Sequence, residues 1–453
     1  MQRFNINFLI RLWRLCLLTA GSAFVLTPAV MAADGQQATN PNFQLDNVAS
    51  ASCREQLRSE NNLKAIEAAN VALTRLGNRD NPDLRFDELV CRGSAYENYA
   101  ETESAERDYR EALRLASRNF DPFDVRLIDP LTRLGRIRLA QDDPGEAELF
   151  LLEAQGITHR TAGIYNVQQK EVLDDLTNVY MRQKRSQQAN RQQELRLRSA
   201  RETYGETPEL VEALQDYAKW NATAQRFPKV RVALEEAITI LEDAYGVNDP
   251  RLIDTLRLRA QLYKLHPTIS TPKAGEEAMQ RVVDIYASRE FVDQVDLLVA
   301  RTALGDWYLQ GLKMSKALKY YKKTVQQALA ENVDPELLEE IYGKPRLFFI
   351  DSTKRTFFSP NESGDLPKTG ILRYRYKVTA KGRARQARLI EDTVNNAEIK
   401  IEIQARLKEA VFRPRYVNGK ATATHNVEQV FRFKRTGSSL AIDKIYAPVL
   451  IKP

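Results

Sequence analysis

The sequence predicts a mainly α protein: an α-solenoid of about seven helix hairpins over residues 49–343, then a small α+β domain of ββαβ order over 370–436. Three observations predict this. A hairpin-sized pattern returns every 40 to 45 residues. After Gly343-Lys344-Pro345 the apolar spacing changes from helical to alternating. The charge balance changes sign at the same place: residues 34–344 hold 42 Lys and Arg against 50 Asp and Glu, net −8, and residues 345–453 hold 22 against 10, net +12.

The clearest repeat is 304–328, LGDWYLQGLKMSKALKYYKKTVQQA. Small or apolar residues fall at Gly305, Tyr308, Ala317, Tyr321 and Ala328, with Gly311 near the turn. That spacing puts small residues where two helices cross closely and aromatics where the next hairpin covers them. The position of Gly305 is held earlier by Cys53, Gly93, Gly135, Thr177, Ala218 and Ala260, in steps of 40, 42, 42, 41, 42 and 45 residues. The small residue opening each second helix recurs as Ala65, Ala105, Ala147, Ala189, Val230, Ala274 and Ala317, and a tyrosine as Tyr96, Tyr180, Tyr263 and Tyr308. Leu304, Gly305, Tyr308, Ala317 and Tyr321 match the signature positions of the tetratricopeptide repeat (TPR), and the unit resembles that family. Its period exceeds the family's basic ~34 residues, so it is similar to the long, kinesin-light-chain-like subclass. The junctions at 202–214 and 243–256 share Tyr-Gly, then Pro, then an amphipathic run: Gly as a left-handed cap, Pro early in the next helix. Residues 333–342 read as one closing helix that covers the apolar end of the last hairpin.

Residues 1–33 read as a signal peptide: Arg3, Arg11 and Arg14 precede an apolar run over 15–30 that ends in small residues, with cleavage near Ala32 or Ala33. Gly21 and Pro28 interrupt that run, which is short for a membrane span; an uncleaved inner-membrane anchor is the alternative. Residues 34–48 are polar and are expected to form a disordered lead-in. The expected location is the periplasm. Removing the leader leaves Cys53 and Cys91, an even count that favours a disulfide in an exported protein, with two buried thiols as the alternative.

The TPR resemblance implies that first helices line a partner-binding groove. Its inward polar positions here are Arg136, Asn178, Arg182, Lys219, Arg257, Gln261 and Lys264. Such a row suits an extended acidic peptide or a C-terminal carboxylate. The alternative is a solvated face paired with acids such as Glu171, Asp174 and Asp254.

In the C-terminal part, a linker spans 344–369 and a tail 437–453. Residues 371–378 alternate as a strand, Lys381-Gly382 turns the chain, 384–390 returns, and 422–433 alternates again. Between them 397–411 reads as an amphipathic helix with Ile401, Ala405, Leu407 and Ala410 or Val411 inward. Gly370, Gly382, Phe412-Arg413-Pro414, Asn418-Gly419 and the strand 430–433 resemble the C-terminal domain of TonB, over less than a fifth of the chain. That family couples inner-membrane energy to outer-membrane receptors, and its terminal strand region pairs edge to edge with a receptor peptide. The resemblance implies such an edge here, at Gln429 and Arg432. The membrane helix and proline-rich spacer of TonB have no counterpart. Arg373, Arg375, Lys377, Lys381, Arg383, Arg385 and Arg388 crowd one hairpin and call for an anionic neighbour, whether an envelope glycopolymer, lipid headgroups, an acidic protein or the acidic solenoid of the same chain.

Catalytic patterns are scarce. His159, His266 and His425 are far apart, without metal-ligand spacing, and no nucleophile elbow or phosphate loop occurs. No enzyme activity, cofactor, metal or nucleic acid is expected. The expected function is a periplasmic protein–protein adaptor of the Gram-negative envelope. Its partners would be envelope proteins or peptides, with an outer-membrane receptor, peptidoglycan or an anionic envelope polymer as candidates. The alternatives are a TonB-type energy transducer and a peptidoglycan-binding structural protein.

Overall fold

The computed structural model describes residues 52–77, 81–265, 272–288, 293–349, 369–436 and 439–450. The expected leader (1–33) and most of the stretch before the first hairpin, including the lead-in (34–48), lie outside them. The helices pair as hairpins: α1 (52–58) with α2 (Asn62–Leu76), α3 (Pro82–Asn98) with α4 (Thr102–Asn119), and α5 (Ile128–Ala140) with α6 (Pro144–Ala162). Then come α7 (Lys170–Arg182) with α8 (Ser186–Tyr204), α9 (Leu210–Thr223) with α10 (Phe227–Tyr245), α11 (Leu252–Leu265) with α12 (Pro272–Ala287), and α13 (Gln294–Gln310) with α14 (Met314–Ala330). A single helix, α15 (Pro335–Tyr342), follows. The chain divides into two compact units at Asp108 and Tyr109, inside α4.

The hairpins close because a small residue on the first helix faces a large one on the second. A Cβ on Gly135 would lie 2.6 Å from Leu151 Cγ, and one on Gly305 would overlap the Tyr321 ring. Cys53, Thr177, Ala218 and Ala260 hold the same place and are buried. In the sixth hairpin the inward residue is Gly275, not Ala274: Ala274 is half-buried, and a Cβ on Gly275 would meet Trp307 at 2.8 Å. That connection is longer, with 15 residues from Ala260 to Gly275 against 12 from Gly305 to Ala317, so the nearest alanine is the wrong one.

Each of six hairpin turns contains a left-handed residue: Glu60, Ala100, Asp142, Lys184, Gln225 and Leu312, with φ between 56° and 65°. The following amide bonds a carbonyl five residues back, as in Asp143 to Arg138 (2.9 Å) and Lys313 to Tyr308 (2.9 Å). Gly311 has φ −79°, so Leu312 takes the strained place expected of a glycine there. Between helices 8 to 11 the Tyr-Gly junctions do use glycine: Gly205 and Gly246 have positive φ, and their amides bond Arg201 O and Glu242 O.

In the first unit, Cys53 and Cys91 are joined by a disulfide amid Ala65, Ala69 and Ala95, and Arg92 donates to both Asp108 oxygens (2.7 Å) and to Asn70 (2.6 Å). In the second unit, successive hairpins are tied by ion pairs. Second helices pair through Arg110–Glu146 (2.6 Å), Lys229–Glu194 (2.7 Å) and Arg201–Glu236 (2.6 Å), and Arg185, at the turn before α8, pairs with Glu148 of α6 (2.6 Å). A continuous apolar cluster runs from Leu197 to Tyr342 and takes in Val411 and Tyr416 of the C-terminal part.

The stretch expected as a linker contains a strand, β1 (Arg346–Phe349), paired antiparallel with β4 (Val411–Arg413). The main sheet is formed by β2 (Thr369–Val378), β3 (Ala384–Asp392), β7 (Thr424–Thr436) and β8 (Ser439–Ile445) in the order β3-β2-β7-β8, and β9 (Val449–Leu450) also pairs with β7. The stretch expected as a tail therefore supplies two strands, and the domain is larger than ββαβ. Helix α16 (Ala397–Glu409) packs Ile399, Ile403 and Leu407 on the face formed by Leu372, Tyr374, Tyr376, Val378, Val427, Phe431 and Phe433. Ile401 and Ala405, expected inward, are exposed: isoleucines at 399, 401 and 403 fit two helix phases, and the i, i+4 stripe through Leu407 wins. A short hairpin of β5 (Arg415–Val417) and β6 (Lys420–Thr422) turns at Asn418-Gly419, both with positive φ.

Candidate functional site

The first-helix face holds the expected groove residues, and most of its cations are already paired. Arg136 binds Asp175 (2.6 Å) and Glu171 (2.7 Å), Arg182 binds Asp142 (3.0 Å), and Lys219 binds Asp216 (3.0 Å). The hydrogen bond from Arg136 holds the Glu171 carboxyl below its ordinary range, with the guanidinium charge adding to it. Arg257 lies 6.0 Å over the Tyr286 ring. Asn178 and Gln261 are exposed, and the Lys264 side chain lies outside the described residues. Arg136, Arg182 and Lys219 thus each meet an acid of the solenoid itself, while Arg257 has an aromatic neighbour.

In the sheet, the expected edge is corrected. β7 is an inner strand, with β2 on one side and β8 and β9 on the other. Gln429 is buried between the Tyr376 hydroxyl (3.4 Å) and the Tyr446 carbonyl. Arg432 lies opposite Lys444 of β8, 3.9 Å from Asp443. The tail gave no sign of a strand because its apolar runs are short and are interrupted by Asp443-Lys444 and Pro448. Among the described residues the free edge lies instead along β3, at one end of the strand order, where Leu389 and Ile390 are 38% and 47% exposed. Arg373 and Arg375 share the buried Glu428 (3.6 and 2.7 Å), and Arg373 also binds Glu391 (2.8 Å). Their counter-ions are in the sheet itself, not in the helical repeats. Lys377 is half-buried, and Arg385 is exposed with a guanidinium nitrogen on the Ala384 carbonyl (2.9 Å).

A feature without an expectation joins the sheet domain to the last hairpin. Arg413 of β4, its side chain 3% exposed, donates to Asp306 of α13 (3.0 and 3.2 Å) and to the Ile341 carbonyl (2.8 Å). Its guanidinium lies over Tyr342 (5.1 Å), Tyr321 and Phe348 (both 5.9 Å). Tyr321 donates to Asp306, and Tyr416 of β5 packs edge-on against Tyr342 (5.5 Å) and reaches the Leu318 carbonyl (3.4 Å). Burial pushes Asp306 up despite the attraction of Arg413, and pushes the Tyr416 phenol up to about 12. The signal for this joint was an acid, Asp306, on the otherwise apolar and small-residue stretch 303–309 of α13.

His159 binds Gln169 (3.0 Å), His425 is exposed, and His266 lies outside the described residues. Among the described residues no group of His, Cys, Asp or Glu is placed to hold a metal ion, and no helix is long and apolar enough to cross a membrane.

No family model and no curated relative matches the chain. Solved structures resemble it in part. BtubC from P. vanneervenii is 17% identical, covering 46% of this chain and 94% of its own, with a TM-score of 0.38. PilF of Pseudomonas aeruginosa is 18% identical over 55% of this chain and 96% of its own, TM-score 0.36. The type IV pilus biogenesis factor PilW is 14% identical over 56% and 97%, TM-score 0.37. None of these decides what this chain binds.

Proposed function

We propose that this protein is a periplasmic interaction adaptor: TPR-type hairpins carry one partner and a TonB-like sheet domain carries another. The observation that carries the reading is the Arg413–Asp306 joint, which fixes the sheet domain to the last hairpin instead of leaving it on a tether. A scaffold uses such a joint to hold two bound partners at a set spacing. The order β2, β3, α16, β7, with Gly382 forced into positive φ against the Phe412 carbonyl, supports the TonB-like assignment. The charged leader before the apolar run and the Cys53–Cys91 disulfide support export.

The free edge of β3 offers unpaired backbone groups to an extended peptide, with side chains such as Leu389 and Arg388 giving selectivity. The test places a photoreactive residue at Arg388 and, separately, at Gln261, and reads crosslinks in cells by mass spectrometry. Distinct protein partners from the two positions are expected, in the envelope fraction. Recovery of the chain in the cytoplasm with Cys53 and Cys91 reduced, or of no protein from either position, overturns the reading.

A further inference from the structure

The sheet face opposite α16 carries a pattern that opposes folding. Strand register puts Arg375 directly against Arg388, Lys377 against Arg385, and Arg432 against Lys444. Like charges at directly opposed positions destabilise a sheet. The sheet's own acids relieve only part of this, since Glu428 and Glu391 are taken up by Arg373 and Arg375. Arg388 and Lys444 are exposed, so their charge faces outward, while the Arg385 guanidinium turns to the Ala384 carbonyl (2.9 Å) and the Lys408 carbonyl of α16 (3.5 Å). Apolar side chains lie among these cations. Ile371 and Val430 are half-exposed, and Val449, opposite Glu428 on the same face, is 58% exposed.

We propose that this open face seats on an anionic phospholipid surface, whose phosphates supply the missing counter-charge. The cations spread across four strands in two dimensions, which matches a headgroup plane; a linear acidic peptide or glycan would meet only one row. The interleaved apolar residues gain from a bilayer interface and nothing from a hydrated polyanion. This goes beyond the adaptor reading and does not rest on it.

The test is vesicle flotation of the full chain with phosphatidylcholine, with and without phosphatidylglycerol. The loss of anionic preference from wild type to the face variant below is read, so any affinity of the basic, apolar leader, common to both, cancels. Preferential binding to anionic vesicles, weakened by salt, is expected. Lys377→Gln, Arg388→Gln and Lys444→Gln together remove one member of each like pair, and the anionic preference falls about a hundredfold. The same variant melts at or above the wild-type temperature, because the repulsion is relieved; loss of fold cannot then explain loss of binding. Lys319→Gln, Lys322→Gln and Lys323→Gln on the exposed side of α14 change net charge equally and keep the binding. Equal flotation on both vesicles, an unchanged face variant, or an equal loss in the α14 variant overturns the proposal. So does binding to sacculi or an acidic protein without any preference for anionic vesicles.

Discussion

Replacing Arg413 by Met tests the joint between the sheet domain and the last hairpin. The substitution keeps length and apolar bulk but removes the donors to Asp306 and Ile341 O, and the charge over Tyr342, Tyr321 and Phe348. Asp306 is then buried without its cation. Breaking a buried pair by removing one partner costs about 3–5 kcal/mol, most of it the stranded charge. The assay is urea unfolding followed by tryptophan fluorescence, since Trp307 adjoins Asp306. Arg413→Met combined with Asp306→Asn keeps an acceptor for the Tyr321 hydroxyl and removes the stranded charge. Its loss falls short of the sum of the single losses by about 0.5–3 kcal/mol. The pH dependence has a definite sign. Burial raises the folded pKa of Asp306 above its unfolded value, so its charged form disfavours the fold as pH rises through that window. Without Arg413 the window widens, so the Arg413→Met loss is larger at neutral pH than near pH ~2, below the unfolded carboxyl's ordinary value, where it is protonated in both states. A loss under ~1 kcal/mol, or additive single losses, would refute the claim that the joint is a coupled buried pair.

Three further outcomes follow from the repeats. Replacing Cys53 and Cys91 by Ser opens a loop of sequence separation 38 and costs about 4 kcal/mol in the first unit by loop entropy, read as loss of amide protection in α2 and α3. Gly305→Ala destabilises by about 1–3 kcal/mol and by more than Gly135→Ala, because the rigid Tyr321 ring cannot yield as Leu151 can; thermal melts give the order. Leu312→Gly stabilises by about 0.5–1 kcal/mol, since a left-handed leucine that is 60% exposed contributes strain and little burial.

The hairpins were legible because their period is written in small residues that only a close helix crossing requires, from Cys53 to Gly305. The turns were less legible. Their left-handed residues are Glu, Ala, Asp, Lys, Gln and Leu, held by the backbone bond that closes the helix and not by residue type. At the C-terminus, alternation found β2, β3 and β7, but not which one was an edge. That depended on β8 and β9, whose apolar runs are short and interrupted by Asp443-Lys444 and Pro448, so that they match a tail as well as a strand. The joint was hidden for a different reason. Asp306 and Arg413 lie 107 residues apart, and a buried ion pair leaves no periodic trace in either segment.

Charge is spent differently on the two surfaces. On the first-helix face Arg136, Arg182 and Lys219 each hold an acid within 3.0 Å. A carboxylate arriving there exchanges one exposed ion pair for another, and such pairs are worth about 0–1 kcal/mol. Affinity on that face therefore comes from uncharged groups such as Asn178 and Gln261 and from apolar contact. The sheet keeps cations facing like cations, so a partner there brings charge that the fold does not supply. The two surfaces then differ in salt dependence. Crosslinking yield from Gln261 stays nearly level as salt rises from low to physiological strength, while binding through the sheet falls steeply within the same range. Equal slopes at both surfaces would mean that the ion pairs of the helical face open on binding, and selectivity would have to be sought among Arg136, Arg182 and Lys219 after all.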